Sequence, residues 1–275
     1  MNYLIAVDLE GVHGVVGKPY EFSLTRYLGI PRGSKEYAEA VAAATDEVNA
    51  VAKALFDAGA TQVCVWDNHA GGGNLDFSKI DGRVTPLVPD SRSLRMQFLE
   101  DYDFDGMLFL GYHTRAGSVD GVLSHTYNSR EIHYIKINGK QVGEYDIDSR
   151  TCGAFGVPAL FAAGDDAFCK QVTESTPFVQ TAITKYAKGR HGAILREKKE
   201  VLQDIRDGAQ RALKAQIKPV SFAFPLMIEI RYSEMELAAD RIEGVGRYFD
   251  DLRYGEDAFT LQATIKDIDG LRRFF

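Results

Sequence analysis

Cysteine is scarce: three residues in 275, Cys64, Cys152 and Cys169, scattered and odd in number. That pattern argues against a disulfide framework and fits a reducing compartment. Cys64 lies inside a strand-like run and reads as a small core residue, and no base stands beside Cys152 or Cys169, so a thiol enzyme has little support. Long apolar runs are missing too, and without one no membrane-spanning helix is expected. Nor is there a basic cluster: 32 Lys and Arg stand against 39 Asp and Glu, a net charge of −7, which sets aside nucleic acid and anionic membrane surfaces as partners. Met1-Asn2-Tyr3 has no basic n-region and meets acidic residues almost at once, so a signal peptide is not expected and a cytoplasmic location follows. Internal repeats and low-complexity stretches are absent. What remains, 45% hydrophobic and 26% charged, is the profile of a globular chain with a sizeable core.

What is present is organised around residues 3–11, YLIAVDLEG. A continuous apolar run, Tyr3 to Val7, suits a strand buried on both faces of an α/β sheet. It ends on Asp8 and Glu10, and open α/β sheets bind ligands at the carboxyl ends of their strands. If the strand runs on, period-two alternation turns both carboxylates to one side. Two such charges repel unless something positive lies between them, and a metal ion is the simplest candidate. A strand-end Asp also serves as a turn former accepting backbone N–H groups, so this stretch alone leaves both readings open.

Further along, residues 12–33 read as a long irregular loop, and loops of that length in a compact domain are usually functional. Ser34 looks like an N-cap, apolar residues recur at helical spacing from Tyr37 to Leu55, and Gly59 supplies the stop. Strands are expected over 62–66, 84–88 and 106–110, with a helix over 91–99. The strand at 62–66 ends in Asp67-Asn68-His69 and that at 106–110 in Gly111-Tyr112-His113, so polar clusters recur at strand termini. Alternating strands and helices imply a right-handed parallel arrangement that gathers Asp8, Glu10, His69 and His113 at one sheet edge. Asn138-Gly139 between the apolar runs 132–137 and 141–144 is a hairpin signal. A helix over 145–155, a strand over 158–163, a mixed stretch over 170–194 and an amphipathic helix over 195–213 follow. Pro219 and Pro225 flank a composition shift, after which 227–232, 233–239 and 259–265 read as strand, short helix and strand. The fold class is therefore α/β: a three-layer sandwich around a mostly parallel or mixed sheet, residues 1–218, with a smaller C-terminal α+β subdomain, residues 219–275.

Two carboxylates, two imidazoles and Glu144, each at the end of a strand or hairpin, make a nitrogen and oxygen donor set suited to zinc. Five donors exceed what one tetrahedral ion needs, whereas paired ions ~3.5–4 Å apart with a shared carboxylate would use them all, a recurring device for hydrolysis. At these residues the chain also resembles the D-aminopeptidase family of dinuclear zinc peptidases, first described as a dipeptide-transport protein. The matching blocks are VDLEG at 7–11, DNH at 67–69, FLGYHTRAG at 109–117, GVLSH at 121–125 and INGKQVGE at 137–144, with weaker similarity in VPALFAAGDD at 157–166 and FTLQATIKD at 259–267. The resemblance implies that Asp8 bridges two metals, Glu10 and His69 complete one shell, His113 and Glu144 complete the other, and His125 is a catalytic, non-ligand histidine. It also implies two zinc ions per chain, a short peptide or aminoacyl substrate, and a homo-oligomer, in the family generally a ring-like decamer. The loop after Glu10 departs from the family pattern, placing His13 where a small polar residue is usual, which bears on substrate choice.

Arg115, between His113 and His125, could hold a substrate carboxylate, or be engaged in an ion pair within the fold. His133 and His191 read as structural or solvated, Trp66 as core, and Gly71 to Gly73 as a flexible connection, since no Gly-Lys-Ser/Thr follows. The leading function is metal-dependent removal of the N-terminal residue of short peptides, with a D-residue preferred. A phosphohydrolase with Asp8 as nucleophile is the first rival, but it leaves His69, His113 and His125 without a task. A small-peptide binding protein is the second.

Overall fold

The structure, a computed structural model, describes residues 1–17, 33–90 and 93–275. In chain order the elements are β1 (Asn2–Val7), α1 (Lys35–Asp57), β2 (Gln62–Asp67), β3 (Val84–Leu87), β4 (Gly106–Leu110), β5 (Ile132–Ile137), β6 (Lys140–Val142), α2 (Glu144–Ala154), β7 (Ala159–Gly164) and α3 (Asp166–Ser175). Then come β8 (Gln180–Ile183), β9 (Lys185–Ala187), β10 (Ala193–Leu195), α4 (Lys198–Lys214), β11 (Leu226–Tyr232), α5 (Met235–Val245), β12 (Arg253–Tyr254), β13 (Thr260–Ile265) and α6 (Ile268–Phe274). No helix among the described residues is long and apolar enough to cross a membrane.

The main sheet has six strands in the order β3-β2-β1-β4-β7-β8, every neighbouring pair parallel. Its central strand β1 is apolar throughout because both faces are covered. Tyr3, Ile5 and Val7 face a core shared with Val48, Val51 and Leu55 of α1 and with Val201, Ile205 and Ala209 of α4. Leu4 and Ala6 face the opposite core, with Tyr145 and Cys152 of α2 and Phe168 and Val172 of α3. This is the expected three-layer α/β arrangement. Each Leu, Ile, Val or Phe so buried is worth roughly 1.5–3 kcal/mol over leaving it in water.

A second, antiparallel sheet runs β12-β13-β11-β5-β6 over a third core that includes Ile135, Ile228, Ile230, Leu261 and Phe274. Strands β5 and β6, which precede residue 218, belong to this sheet: β5 pairs with β11, and β6 with β5. Sheet pairing follows hydrogen-bond complementarity and not chain order. The β5–β6 turn is the expected hairpin, with Asn138 and Gly139 at φ of 50° and 80°.

Ser34 caps α1 as expected, its hydroxyl accepting the Tyr37 N–H, and Gly59 leaves the helix at φ +89°. The helix expected over 91–99 is not found within the described residues, where only Gln97–Leu99 forms a single 3₁₀ turn; Ser91 and Arg92 lie outside them. Most of the loop expected over 12–33 also falls outside, at residues 18–32. The mixed stretch over 170–194 resolves into the rest of α3, the edge strand β8 and the β9–β10 ribbon; the three strands, of three or four residues each, have patterns too short to read from sequence.

Candidate metal centre

Asp8 follows β1 directly, His69 lies just past β2, and His113 just past β4. Because β1 pairs with both β2 and β4, these three loops adjoin at one carboxyl edge. The chain runs outward from β1 to β2 and β3 on one side, and from β4 to β7 and β8 on the other. The reversal between β1 and β4 makes the crevice where open α/β sheets place ligands.

Two glycines let the loops meet. A Cβ on Gly11 would lie 2.0 Å from the Tyr112 carbonyl oxygen, and one on Gly111 would lie 2.0 Å from that of Asp8. The loops are stitched instead by Asp8 N–H to Leu110 O at 2.8 Å and Gly11 N–H to Gly111 O at 2.7 Å. Strand alternation does not align Asp8 with Glu10, since β1 stops at Val7. A turn closed by Val12 N–H on Leu9 O folds Glu10 back beside Asp8. Glu144 arrives from elsewhere: the β5–β6 hairpin leads through Gly143 into α2, of which Glu144 is the first residue.

Asp8, Glu10, His69, His113 and Glu144 are all buried, and His125 nearly so. Asp8 divides its oxygens between two imidazoles: Oδ1 is 2.8 Å from His69 Nδ1, and Oδ2 is 3.4 Å from His113 Nε2. Glu10 Oε2 is 3.1 Å from the same His69 nitrogen, and Glu144 Oε1 is 3.4 Å from His113 Nε2. His125 stacks on His113 with ring centroids 4.0 Å apart and holds Nε2 3.9 Å from Glu10 Oε1 and 3.8 Å from Glu144 Oε1. Three combinations bring one donor atom each within 4.8 Å: Asp8–Glu10–His69, Asp8–His113–Glu144 and Glu10–His113–His125.

The ring nitrogens have defined tasks. His113 Nδ1 faces Thr114 O at 3.0 Å and His125 Nδ1 faces Leu123 O at 2.8 Å. A carbonyl only accepts, so Nδ1 carries the hydrogen in both rings and each Nε2 is left with a lone pair when neutral. At 3.4 Å from its carboxylates, His113 Nε2 is buried without a hydrogen-bond partner. Burial opposes the charged form of His69, but Glu10 and Asp8 outweigh it and hold that imidazole well above its ordinary range. Burial likewise pushes Asp8 up, and the facing His113 and His69 more than reverse it. For His125, burial and the neighbouring His113 both act downward, keeping the ring neutral.

Among the described residues none of the three carboxylates pairs with a lysine or arginine side chain. Buried carboxylates that converge without a basic side chain are costly, and His113 Nε2, buried among them, has no hydrogen-bond partner. The donor set of imidazole nitrogens and carboxylate oxygens therefore fits a divalent cation of the zinc type.

A family model described as D-aminopeptidase, peptidase family M55, matches residues 1–250. The chain belongs to this family. A D-aminopeptidase of Bacillus subtilis (strain 168) is 32% identical over 190 residues, 69% of this chain, and the match spans 65% of that relative's length. Among solved structures, the Zn-dependent D-aminopeptidase DppA from Bacillus subtilis, a self-compartmentalizing protease, aligns with a TM-score of 0.86 over 100% of this chain and 95% of that chain, at 26% identity.

Of the residues singled out in this family member's sequence, six gather in the cluster and Arg115 does not join it through any contact among the described residues. Its Nη1 donates to Gln171 Oε1 at 3.3 Å, and its Cβ packs where a side chain on Gly143 would stand. His13 Nε2 lies 2.8 Å from Arg196 O, His133 is exposed on β5, and Trp66 is buried as expected. Gly72 and Gly73 sit at positive φ in a loop that Asn74 closes by donating to Asp67 and to His69 O. Sequence reading missed that tie. It also missed Arg95, whose guanidinium makes paired bonds of 2.8 and 2.7 Å to Asp148, which in turn accepts from Tyr112. Only a three-residue approach of distant segments reveals such links, and no local pattern announces them.

Proposed function

We propose that this protein is a zinc-dependent aminopeptidase that removes the N-terminal residue of short peptides or aminoacyl amides and prefers a D-residue. The observation that carries this reading is Asp8, whose two oxygens address two different imidazoles inside a buried cluster with no basic side chain among the described residues. Asp8 would be shared by two ions, with Glu10 and His69 completing one set and His113 and Glu144 the other. When bound, zinc supplies Lewis-acid polarisation of the scissile carbonyl and a lowered water pKa. His125 is the acid–base residue: the Nδ1–H bond to Leu123 O holds the ring in one tautomer, and Nε2 takes a proton from the attacking water and returns it to the leaving amine. Its longer contacts, 3.8 and 3.9 Å, support separating it from the five ligands. An aminopeptidase fixes the substrate's free amine beside the metals to bring the first carbonyl within reach of attack, so an unblocked N-terminus is required. The Asp8-nucleophile alternative is disfavoured because neither Asp8 oxygen is free of an imidazole.

Likeness to a self-compartmentalizing protease supports a homo-oligomer, which we read as a decamer, and free cysteines support a cytoplasmic setting. The test is a panel of D- and L-aminoacyl amides, their N-acetylated forms and phosphate esters, assayed with and without chelator. Free D-aminoacyl amides should be cleaved, chelation should stop it, and acetylated forms should be inert. Equal cleavage of acetylated and free substrates would remove the aminopeptidase reading and leave a metallohydrolase.

A further inference from the structure

Lys185 is among the largest side chains with no exposure at all, and its ammonium makes no hydrogen bond to a carboxylate among the described residues. It donates to two backbone carbonyls instead, Glu10 O at 2.6 Å and Val12 O at 2.7 Å. The preceding residue, Thr184, also fully buried, donates from Oγ1 to Gly11 O at 2.6 Å. Three successive carbonyls of the turn after β1 are thus taken by two successive residues at the end of β8 and start of β9, more than 170 positions away along the chain. At the next residue of the chain, His13 N–H donates to Glu47 Oε1 at 2.8 Å.

The turn needs such partners. Beyond Val7 the chain has left the sheet ladder, and buried carbonyls without donors cost as much as a lost hydrogen bond. A hydroxyl satisfies one carbonyl; an ammonium offers three donors at one point and can bind the two that flank Gly11. Those two belong to Glu10 itself and to the residue two beyond it, so the direction of the Glu10 side chain is set by this grip. Glu10 must hold Oε2 against His69 while presenting Oε1 toward His125. A buried ammonium is an expensive way to satisfy carbonyls, and an apolar side chain of similar volume would spare that desolvation.

We propose that Lys185, assisted by Thr184, is a positioning residue that sets the Glu10 carboxylate and thereby the affinity of the Asp8–Glu10–His69 ion. The inference rests on the reading of Glu10 as a metal-holding residue. It does not require Lys185 to touch substrate or metal.

Zinc titrated into the metal-free full-length protein, in competition with a chromophoric chelator, tests it. Outer partners of metal ligands typically change affinity ~10–100-fold when removed. Lys185→Met, folded by circular dichroism, should weaken one of two zinc equivalents by that factor and leave the other as in wild type. Thr184→Val should weaken the same equivalent by a smaller factor, and it alone decides the matter if Lys185→Met does not fold. Wild-type affinity for both equivalents in either folded variant overturns the proposal, as does equal loosening of both, which would mark a general structural role. Failure of the wild type itself to bind zinc would sink the reading of the metal centre and the inference with it, and so is distinguishable from failure of the variants alone.

Discussion

At the scale of single residues, the division of labour within the cluster can be separated by substitution. Asp8→Asn keeps the shape and removes the charge that both imidazoles face, so zinc content should fall from about two per chain to below one, further than for any other single ligand change. Metal analysis of the purified variant checks this, and full occupancy would exclude a bridging Asp8. His125→Asn should keep its fold and its zinc while losing ~10²–10⁴ in turnover, the usual worth of general acid–base help. His113→Asn should lose zinc and activity together. If zinc in His125→Asn fell in proportion to activity, His125 would be a ligand. Glu47 carries a separate, pH-dependent cost. Burial pushes its carboxyl up to about 7, only partly offset by the His13 N–H and by Lys185, and its Oε2 has no hydrogen-bond partner. Between the ordinary value near 4.5 and about 7 the folded state holds a proton that the unfolded state has released, so stability falls as pH rises through that window. Glu47→Gln should therefore gain on wild type from pH 5 to pH 8, by up to about 3 kcal/mol, read from urea midpoints. A difference that stays flat with pH would mean that Glu47 is not protonated in the fold.

At the scale of elements, the site depends on two loops touching where side chains cannot fit. Gly11→Ala would drive a methyl into the Tyr112 carbonyl, and neither backbone can retreat without moving Asp8 or His113. The expected result is a stability loss of roughly 1–3 kcal/mol with zinc affinity reduced at both ions, measured by thermal melting and metal titration. By contrast Gly14, at φ +83° with open space around it, should accept Ala with only the cost of its backbone conformation. Strand β1 and its terminal carboxylates were legible because an unbroken apolar run followed by Asp-x-Glu is a local pattern. So was α1, from Ser34 to Gly59. The β9–β10 ribbon was not, since three-residue strands carry no period, and Lys185 within it looks like any surface lysine until the turn after β1 is packed against it.

At the scale of the whole molecule, the antiparallel sheet helps to support the proposed metal centre. Its β5–β6 hairpin delivers Glu144, and Tyr127 N–H donates to Glu144 Oε1 at 2.7 Å from a residue at φ +58°. Removing zinc should therefore destabilise the protein and not merely silence it, because buried carboxylates from both sheets lose their common counter-charge. At a free zinc concentration a thousandfold above Kd, binding adds about 4 kcal/mol. Melting with and without chelator should show a transition several degrees lower for the metal-free form, and equal midpoints would place the ions outside the buried cluster.

The residue types, and the fact that Asp8, Glu10, His69 and His113 stand at strand ends, were determined by the sequence, because apolar periodicity and glycine punctuation are local properties. The parallel sheet followed from the strand–helix succession around β1 and α1. What only the tertiary structure decided is which ends adjoin. The strand order places β2 and β4 on either side of β1, a turn and not strand alternation brings Glu10 to Asp8, and Lys185, Asn74 and Arg95 fasten the loops from distant positions. The physical reason is that hydrogen bonds and burial between segments far apart in sequence depend on the packed arrangement of every layer, and no window of neighbouring residues contains them.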